Sequence, residues 1–184
     1  MQRKLISIPL VLMLVTVAVW ASQNFVFNLP YSNSEFSATF PTPDDKAGVH
    51  TSVHEGKGSP DKSAYTNHLY EVSTSGDRAA FFVAYADYAS QVDTSVAALD
   101  RIADASFHGA GVTLVPGSRK DSTLAGMFAR EAKGVSDEYE MYIRTSFAGT
   151  RAWEAFVIFK KSLHATQADA DEFLNSIRRP VQAR

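Results

Sequence analysis

The stretch Tyr139-Glu140-Met141-Tyr142-Ile143-Arg144-Thr145-Ser146-Phe147-Ala148-Gly149-Thr150-Arg151-Ala152-Trp153-Glu154-Ala155-Phe156-Val157-Ile158-Phe159 decides the fold class. Met141, Ile143 and Phe147 alternate along its first half, and Trp153, Ala155, Val157 and Phe159 along its second. Period two over nine residues is the mark of a strand. Ala148-Gly149-Thr150 supplies the turn, so the stretch predicts a long antiparallel hairpin. Thr166 then caps a helix that returns Phe173, Leu174 and Ile177 to the hairpin. Asp169, three residues on, forms a capping box with Asp in place of Glu or Gln. Arg178 and Arg179 are read at the end of this helix, where cations suit the dipole, and Pro180 as its stop.

Working backwards from the hairpin, Leu124 to Ala132 predicts a strand ended by Gly134, and Val112 to Val115 a short one before Pro116-Gly117. A helix is expected from about Ser95 to Phe107, capped by Asp93 or Thr94 and stopped by Gly109 or Gly111. Val96, Leu99, Ile102, Ala103 and Phe107 form its apolar face. Ala79-Ala80-Phe81-Phe82-Val83-Ala84-Tyr85 is apolar on both faces, as befits a central strand. Ala64 to Val72 predicts a strand with Tyr65, Asn67, Leu69 and Glu71 on one face and His68, Tyr70 and Val72 on the other. Val49 to Glu55 and Phe36 to Phe40 complete the strands. Phe25 to Ser34 shows no clear period. The order β-β-β-β-α-β-β-β-β-α, with short turns, predicts an α+β domain: an antiparallel sheet flanked by helices.

The N-terminus carries an export signal. Gln2-Arg3-Lys4 is a positive start, Leu5 to Val19 an apolar run, and Val19 and Ala21 the small residues before a cut at Ser22. Residues 1–21 are thus expected to be a signal peptide and 22–184 a single domain. The alternative is an uncleaved anchor, which would need about 20 apolar residues. On either reading the body is expected to be periplasmic or secreted.

Composition closes several classes. The chain has 184 residues and no Cys, which removes disulfides, Cys-based zinc or iron–sulfur sites, a thiol nucleophile and a lipid anchor on cysteine. Without Arg3 and Lys4 the 18 basic side chains fall to 16 against 20 acidic. No basic stripe remains to track phosphates, so nucleic acid is not an expected partner.

Several motifs then resemble one known family. Phe36-Ser37-Ala38-Thr39-Phe40-Pro41 is similar to the opening F-S-x-x-F-P strand of exported PsbP-like domains. Phe82-Val83-Ala84-Tyr85-Ala86-Asp87-Tyr88 is similar to their V-x-Y-x-D-Y/F strand end, and Leu99-Asp100 to their helix opening. Asp169 to Ile177 resembles the closing A-x-x-F-L-x-S-F helix. The motifs occur in order over most of Ser34 to Arg179. Where relatives carry G-x-x-G-R-E, this chain reads Gly126-Met127-Phe128-Ala129-Arg130-Glu131, keeping Arg-Glu and lacking the second glycine. The resemblance implies an α/β/α sandwich, and a non-catalytic partner of larger assemblies.

His50 and His54 have metal-ligand spacing on a helix, but four residues of strand span about 13 Å, too far for one ion. His68 from the next strand, with Asp44 or Asp45, would complete a set. Ser106-Phe107-His108 lacks a G-x-S-x-G elbow, and His108 suits a helix C-terminus. Asp44-Asp45, Asp137-Glu138 and Asp169/Asp171/Glu172 read as turn and capping carboxylates. Gly109-Ala110-Gly111 follows a helix, the reverse of a phosphate-binding turn. Tyr85, Asp87 and Tyr88 stand where a central strand leaves the sheet. They are either a binding site or an aromatic plug with a turn aspartate.

The expectation is a non-enzymatic binding or assembly module with no cofactor and no assigned catalytic, cofactor or metal residue. Its partner is expected to be a protein of the cell envelope, met at a sheet edge or loop end. The alternative is a small-molecule or metal-handling protein, or weak hydrolase, built on His50, His54 and His68. Function is to be sought at the loops near Asp44, Gly56 and Asp87.

Overall fold

The computed structural model describes residues 25–43, 48–57, 64–76 and 78–180. The leader with its cut at Ser22, the Asp44-Asp45 turn and the Gly58 to Asp61 turn lie outside them. Among the described residues no helix is long and apolar enough to cross a membrane.

The fold is α+β and its sheets are wholly antiparallel. In chain order the elements are β1 (Phe27–Ser32), β2 (Ser37–Pro41), β3 (His50–Lys57), β4 (Ala64–Thr74), β5 (Ala79–Tyr88), α1 (Val96–Ala110), β6 (Thr113–Leu114), β7 (Lys120–Leu124), β8 (Met127–Val135), β9 (Tyr139–Ala148), β10 (Arg151–Lys160) and α2 (Gln167–Ser176). β1 and β2 make a two-stranded ribbon, and the other eight strands one sheet ordered β3-β4-β5-β10-β9-β8-β6, with β7 also on β8.

The expected hairpin is the middle of this sheet. β9 and β10 pair in unbroken register from Ala148↔Arg151 to Tyr139↔Lys160, around Gly149 at φ 64°. β5 lies on the far side of β10, the central place that its doubly apolar pattern predicts.

Strand alternation gives the sheet two faces with separate cores. On one face Phe81, Val83, Trp153, Ala155, Val157 and Phe159 meet α2 and the ribbon through Phe36, Phe40, Phe173 and Leu174. Phe40 and Phe173 have ring centroids 5.1 Å apart, and both rings are fully buried. Each such ring contributes about 1.5–3 kcal/mol by leaving water. On the other face Met141, Ile143 and Ala132 meet Ala103 and Phe107 of α1. The α1 face is covered unevenly. The helix packs on β9, β8 and β6, so among the described residues the β4–β5 half is left open.

Four expectations are corrected. Phe25 to Ser34 contains a strand, β1. Phe27, Leu29 and Tyr31 do alternate with exposed residues, and Pro30 is tolerated because a ribbon edge has no second ladder to satisfy. Leu124 to Ala132 is not one strand. Ala125 and Gly126, at φ 52° and 78°, turn the chain between β7 and β8. Gly134 lies within β8 rather than ending it, because a Cβ there would stand 2.7 Å from Val112 Cγ2 and 2.8 Å from Phe107. Finally α2 stops at Ser176. Ile177 is already extended, and Arg178 pairs with Ser37 through two backbone hydrogen bonds of 2.8 Å.

The caps follow elementary chemistry. Ser95, not Asp93 or Thr94, is the N-cap of α1, its hydroxyl accepting from Ala98 N, while Asp93 accepts from Ser95 N at 2.9 Å. Gly111 closes the helix in the left-handed conformation. The Thr166–Asp169 capping box forms in full.

Candidate functional site

Register decides first which of the candidate residues can meet. His50, Ser52 and His54 of β3 stand opposite Glu71, Leu69 and Asn67 of β4, so they share the α1 face. His68 belongs to the other face, where its ring stacks on Tyr85 at 4.5 Å. The three histidines therefore do not converge. Among the described residues no group of three or more His, Asp or Glu side chains is placed to hold a metal ion.

Tyr85, Asp87 and Tyr88 are likewise divided. Tyr85 and Asp87 face the ribbon side, and Tyr88 the α1 side. Tyr85 is buried, and burial, then its hydrogen bond with Tyr70, pushes its phenol above the ordinary range. Asp87 takes a two-pronged bond from Arg151, Nε to Oδ1 at 2.6 Å and Nη2 to Oδ2 at 2.9 Å. Arg151 also pairs with Glu35 and lies 4.3 Å over the Tyr85 ring. Such a fork holds both partners in one geometry. The pair Tyr85–Asp87 is thus an aromatic plug with a tied carboxylate.

The remaining carboxylates are divided among structural tasks. Asp137 and Glu138 are exposed in the β8–β9 turn. Asp169 caps α2. Asp171 accepts from Arg144 Nη2 at 2.8 Å. The retained Arg-Glu pair of β8 splits across the sheet. Arg130 reaches Asp100 of α1 at 3.1 Å and Asp121 of β7 at 2.5 Å. Glu131 is buried against Arg144, 2.8 Å away, and Lys120, 2.9 Å away. Burial raises the Glu131 pKa, but the two cations outweigh it and leave the carboxyl below its usual value. Arg144, itself buried, adds Asn175 Oδ1 at 2.7 Å, so one guanidinium ties β8, β9 and α2 together.

Ser106 does not serve His108, which is exposed at the end of α1. Its hydroxyl lies 2.5 Å from Glu154 Oε1. Glu154 comes from the middle of β10, between Ala84 of β5 and Thr145 of β9, and points to the α1 face. It makes no ion pair among the described residues. Burial of the carboxyl pushes its pKa up to about 7, opposed only by the Ser106 hydroxyl. The residue as a whole is half-buried, so its surroundings are a cleft and not a closed core.

That cleft has a volume of about 340 Å³ and is lined by Tyr65, Asn67, Tyr88, Ile102, Ser106 and Glu154 together with small alanines. Ala84, Ala86 and Ala152 on the strands and Ala105 on the helix leave the space. Tyr65 and Tyr88 pair at its mouth with centroids 5.6 Å apart. The Tyr65 ring lies so close over Gly56 that a Cβ there would stand 2.6 Å from it. Around the two tyrosines the space continues into a shallower hollow bordered by Gly56 and Asp87. Two of the three loops singled out in the sequence therefore border one concavity, and the third, at Asp44, lies outside the described residues.

Glu154 is the residue that sequence reasoning passed over. Its signal was a lone carboxylate in Trp153-Glu154-Ala155-Phe156-Val157-Ile158, where every neighbour is apolar. A charge in such a run is expensive unless it has a partner or a purpose.

Comparison with known proteins found no matching family model, and no curated protein or solved structure of significant similarity. The arrangement of residues is therefore the ground for any reading of function.

Proposed function

We propose that the chain is an exported, non-enzymatic binding module of the PsbP-like kind, which holds a protein partner of the cell envelope along the edge of its sheet. The observation that carries this reading is β3. It is eight residues long, pairs on one side only among the described residues, and presents Val53 at 59% exposure. A long regular edge strand is a template for an added strand unless charge, proline or a bulge blocks it. No bulge or proline interrupts the pairing of β3 with β4, and the strand's two charged residues, Glu55 and Lys57, lie at one end and leave His50 to His54 clear of them. Helices on opposite faces of one antiparallel sheet support the α/β/α sandwich that the motif order implies. The separate tasks of the serines, histidines and carboxylates support a role without catalysis.

A photo-crosslinking residue placed at Val53, with a second placed at Asp121 on the opposite edge, tests the reading in cells. The expected result is one discrete adduct from position 53 and none from position 121. Val53→Lys should abolish the partner contact while leaving the fold intact. No adduct from either edge, or the same adducts from both, overturns it. A mature chain beginning at Ser22 is the expected product of N-terminal sequencing.

A further inference from the structure

We propose that the cleft between α1 and strands β4, β5 and β10 is a binding site for a small organic cation, with Glu154 as its counter-ion and Tyr65 and Tyr88 as its aromatic walls. This site lies apart from the β3 edge, and its test does not depend on a protein partner.

The argument begins with what Glu154 lacks. A carboxylate removed from water needs a cation or a full set of donors. Among the described residues the Ser106 hydroxyl is its only hydrogen-bond partner. The ion-paired neighbours on α1 and β8 are committed elsewhere. On α1, Arg101 pairs with Asp93, Asp104 with Arg119, and Asp100 with Arg130. On β8, Arg130 also holds Asp121. β9 offers Thr145, whose hydroxyl donates to Leu99 O at 3.2 Å. β4 and β5 offer Tyr65 and Tyr88, and β3 places His54 beside Asn67, one strand further out. Among the described residues the cleft thus contains an acid and no cation.

The walls select among ligands. Aromatic faces within about 6 Å attract ammonium groups, and two of them flank the entrance. Ile102 and the alanines give apolar contact for a hydrocarbon body. The volume of about 340 Å³ is at the small end of ligand sites. A neutral ligand would leave the acid protonated and gain little from it. An ammonium group replaces the proton: the acid releases H⁺ to solvent, and the carboxylate pairs with the incoming cation. No covalent bond changes. Asn67 adds an amide at the same wall for a second polar group on the ligand.

Phenethylamine and its neutral counterpart 2-phenylethanol are the probes, titrated calorimetrically into the folded chain. The amine should bind at pH 8 and the alcohol should not. Because the acid must ionise, amine affinity should fall about tenfold between pH 8 and pH 6, with proton release seen as a dependence of the heat on buffer ionisation. Glu154→Gln should abolish binding. Ser106→Ala removes the bond that favours the ionised form, and should move the pH midpoint upward. Ala105→Phe, which fills the cleft from its exposed wall and leaves Glu154 untouched, should also abolish binding. The proposal is overturned if the amine does not bind the parent chain at pH 8. It is equally overturned if the alcohol binds as well as the amine, if affinity is flat from pH 6 to 8, or if either blocking variant, shown folded by its circular dichroism, still binds.

Discussion

Replacing Glu154 by Gln should stabilise the protein, and only above the pH at which a free glutamate ionises. In the unfolded chain this carboxyl titrates at its ordinary value of 4.5, and in the fold at about 7. Below pH 4.5 it is protonated in both states, so its titration adds no pH-dependent difference there. As pH rises from 4.5 to 7 the unfolded chain releases the proton and the folded chain keeps it. Folding then loses stability at about 1.4 kcal/mol per pH unit. The whole window corresponds to about 3 kcal/mol. Glu154 retains partial access to water, so screening brings the expected loss down to about 2 kcal/mol. Gln cannot ionise, is nearly isosteric, and still reaches the Ser106 hydroxyl. Urea denaturation of both proteins at pH 4, 5, 6, 7 and 8 should give curves that coincide at pH 4. They should separate through pH 6 and run parallel above pH 7, with the variant ahead by about 2 kcal/mol. For a chain of this size that is about 4–8 °C in Tm. Parallel profiles at every pH would show that Glu154 titrates normally, and would refute the account of its burial.

Three further perturbations probe the frame around the cleft. Arg144→Met leaves buried Glu131 with the exposed Lys120 as its one cation, beside the Ser122 hydroxyl, and takes the cation from Asp171. It should cost about 3–5 kcal/mol by urea denaturation, with much of that recovered in the double variant Arg144→Met/Glu131→Met. Thr166→Ala opens the capping box of α2 and should cost about 1 kcal/mol, seen as a fall of about 2–4 °C in Tm. Gly134→Ala drives a methyl into Val112 and Phe107. It should cost about 1–3 kcal/mol by overpacking, where the same change in an open strand would be neutral or favourable.

The sheet was readable where one physical rule acted alone. β9 and β10 are legible because their largest apolar residues recur at period two, each set toward one of the two cores, and their boundaries follow from the sequence to within a residue. β5 announced its central place by being apolar on both sides. Reading failed where two rules competed. β1 alternates, but Pro30 masks it, because proline's usual message outweighs a short pattern. The β7–β8 turn uses Ala125-Gly126, with alanine in a left-handed conformation that the Asn-Gly or Asp-Gly signal would have advertised. Gly134 carries a tertiary message, the close approach of Phe107 and Val112, which cannot be told locally from a stop. The candidate site was less legible still. His50, His54 and His68 looked like a set until register divided them. Tyr85 and Asp87 became legible only through Arg151, whose partner Glu35 is 116 residues away in the chain. Glu154 required knowing that α1 brings Ser106 across β10 and stops short of β4. That is a fact of helix placement and not of any window of sequence.

The bridge between Ser37 and Arg178 has a kinetic meaning. The ribbon of β1 and β2 lays Phe27 and Phe36 on the sheet, but its packing is completed only by α2. Thr39 N donates to Ser176 Oγ at 3.0 Å, and Phe40 meets Phe173. The earliest strands to emerge during synthesis must therefore wait for the latest helix. Closure across about 140 residues is a slow, non-local step, so the nucleus of folding should be the β9–β10 hairpin with β5, and the ribbon should dock last. Until then Phe40 lacks its Phe173 neighbour, and the nascent chain stays open to chaperones for as long as its C-terminal helix is withheld.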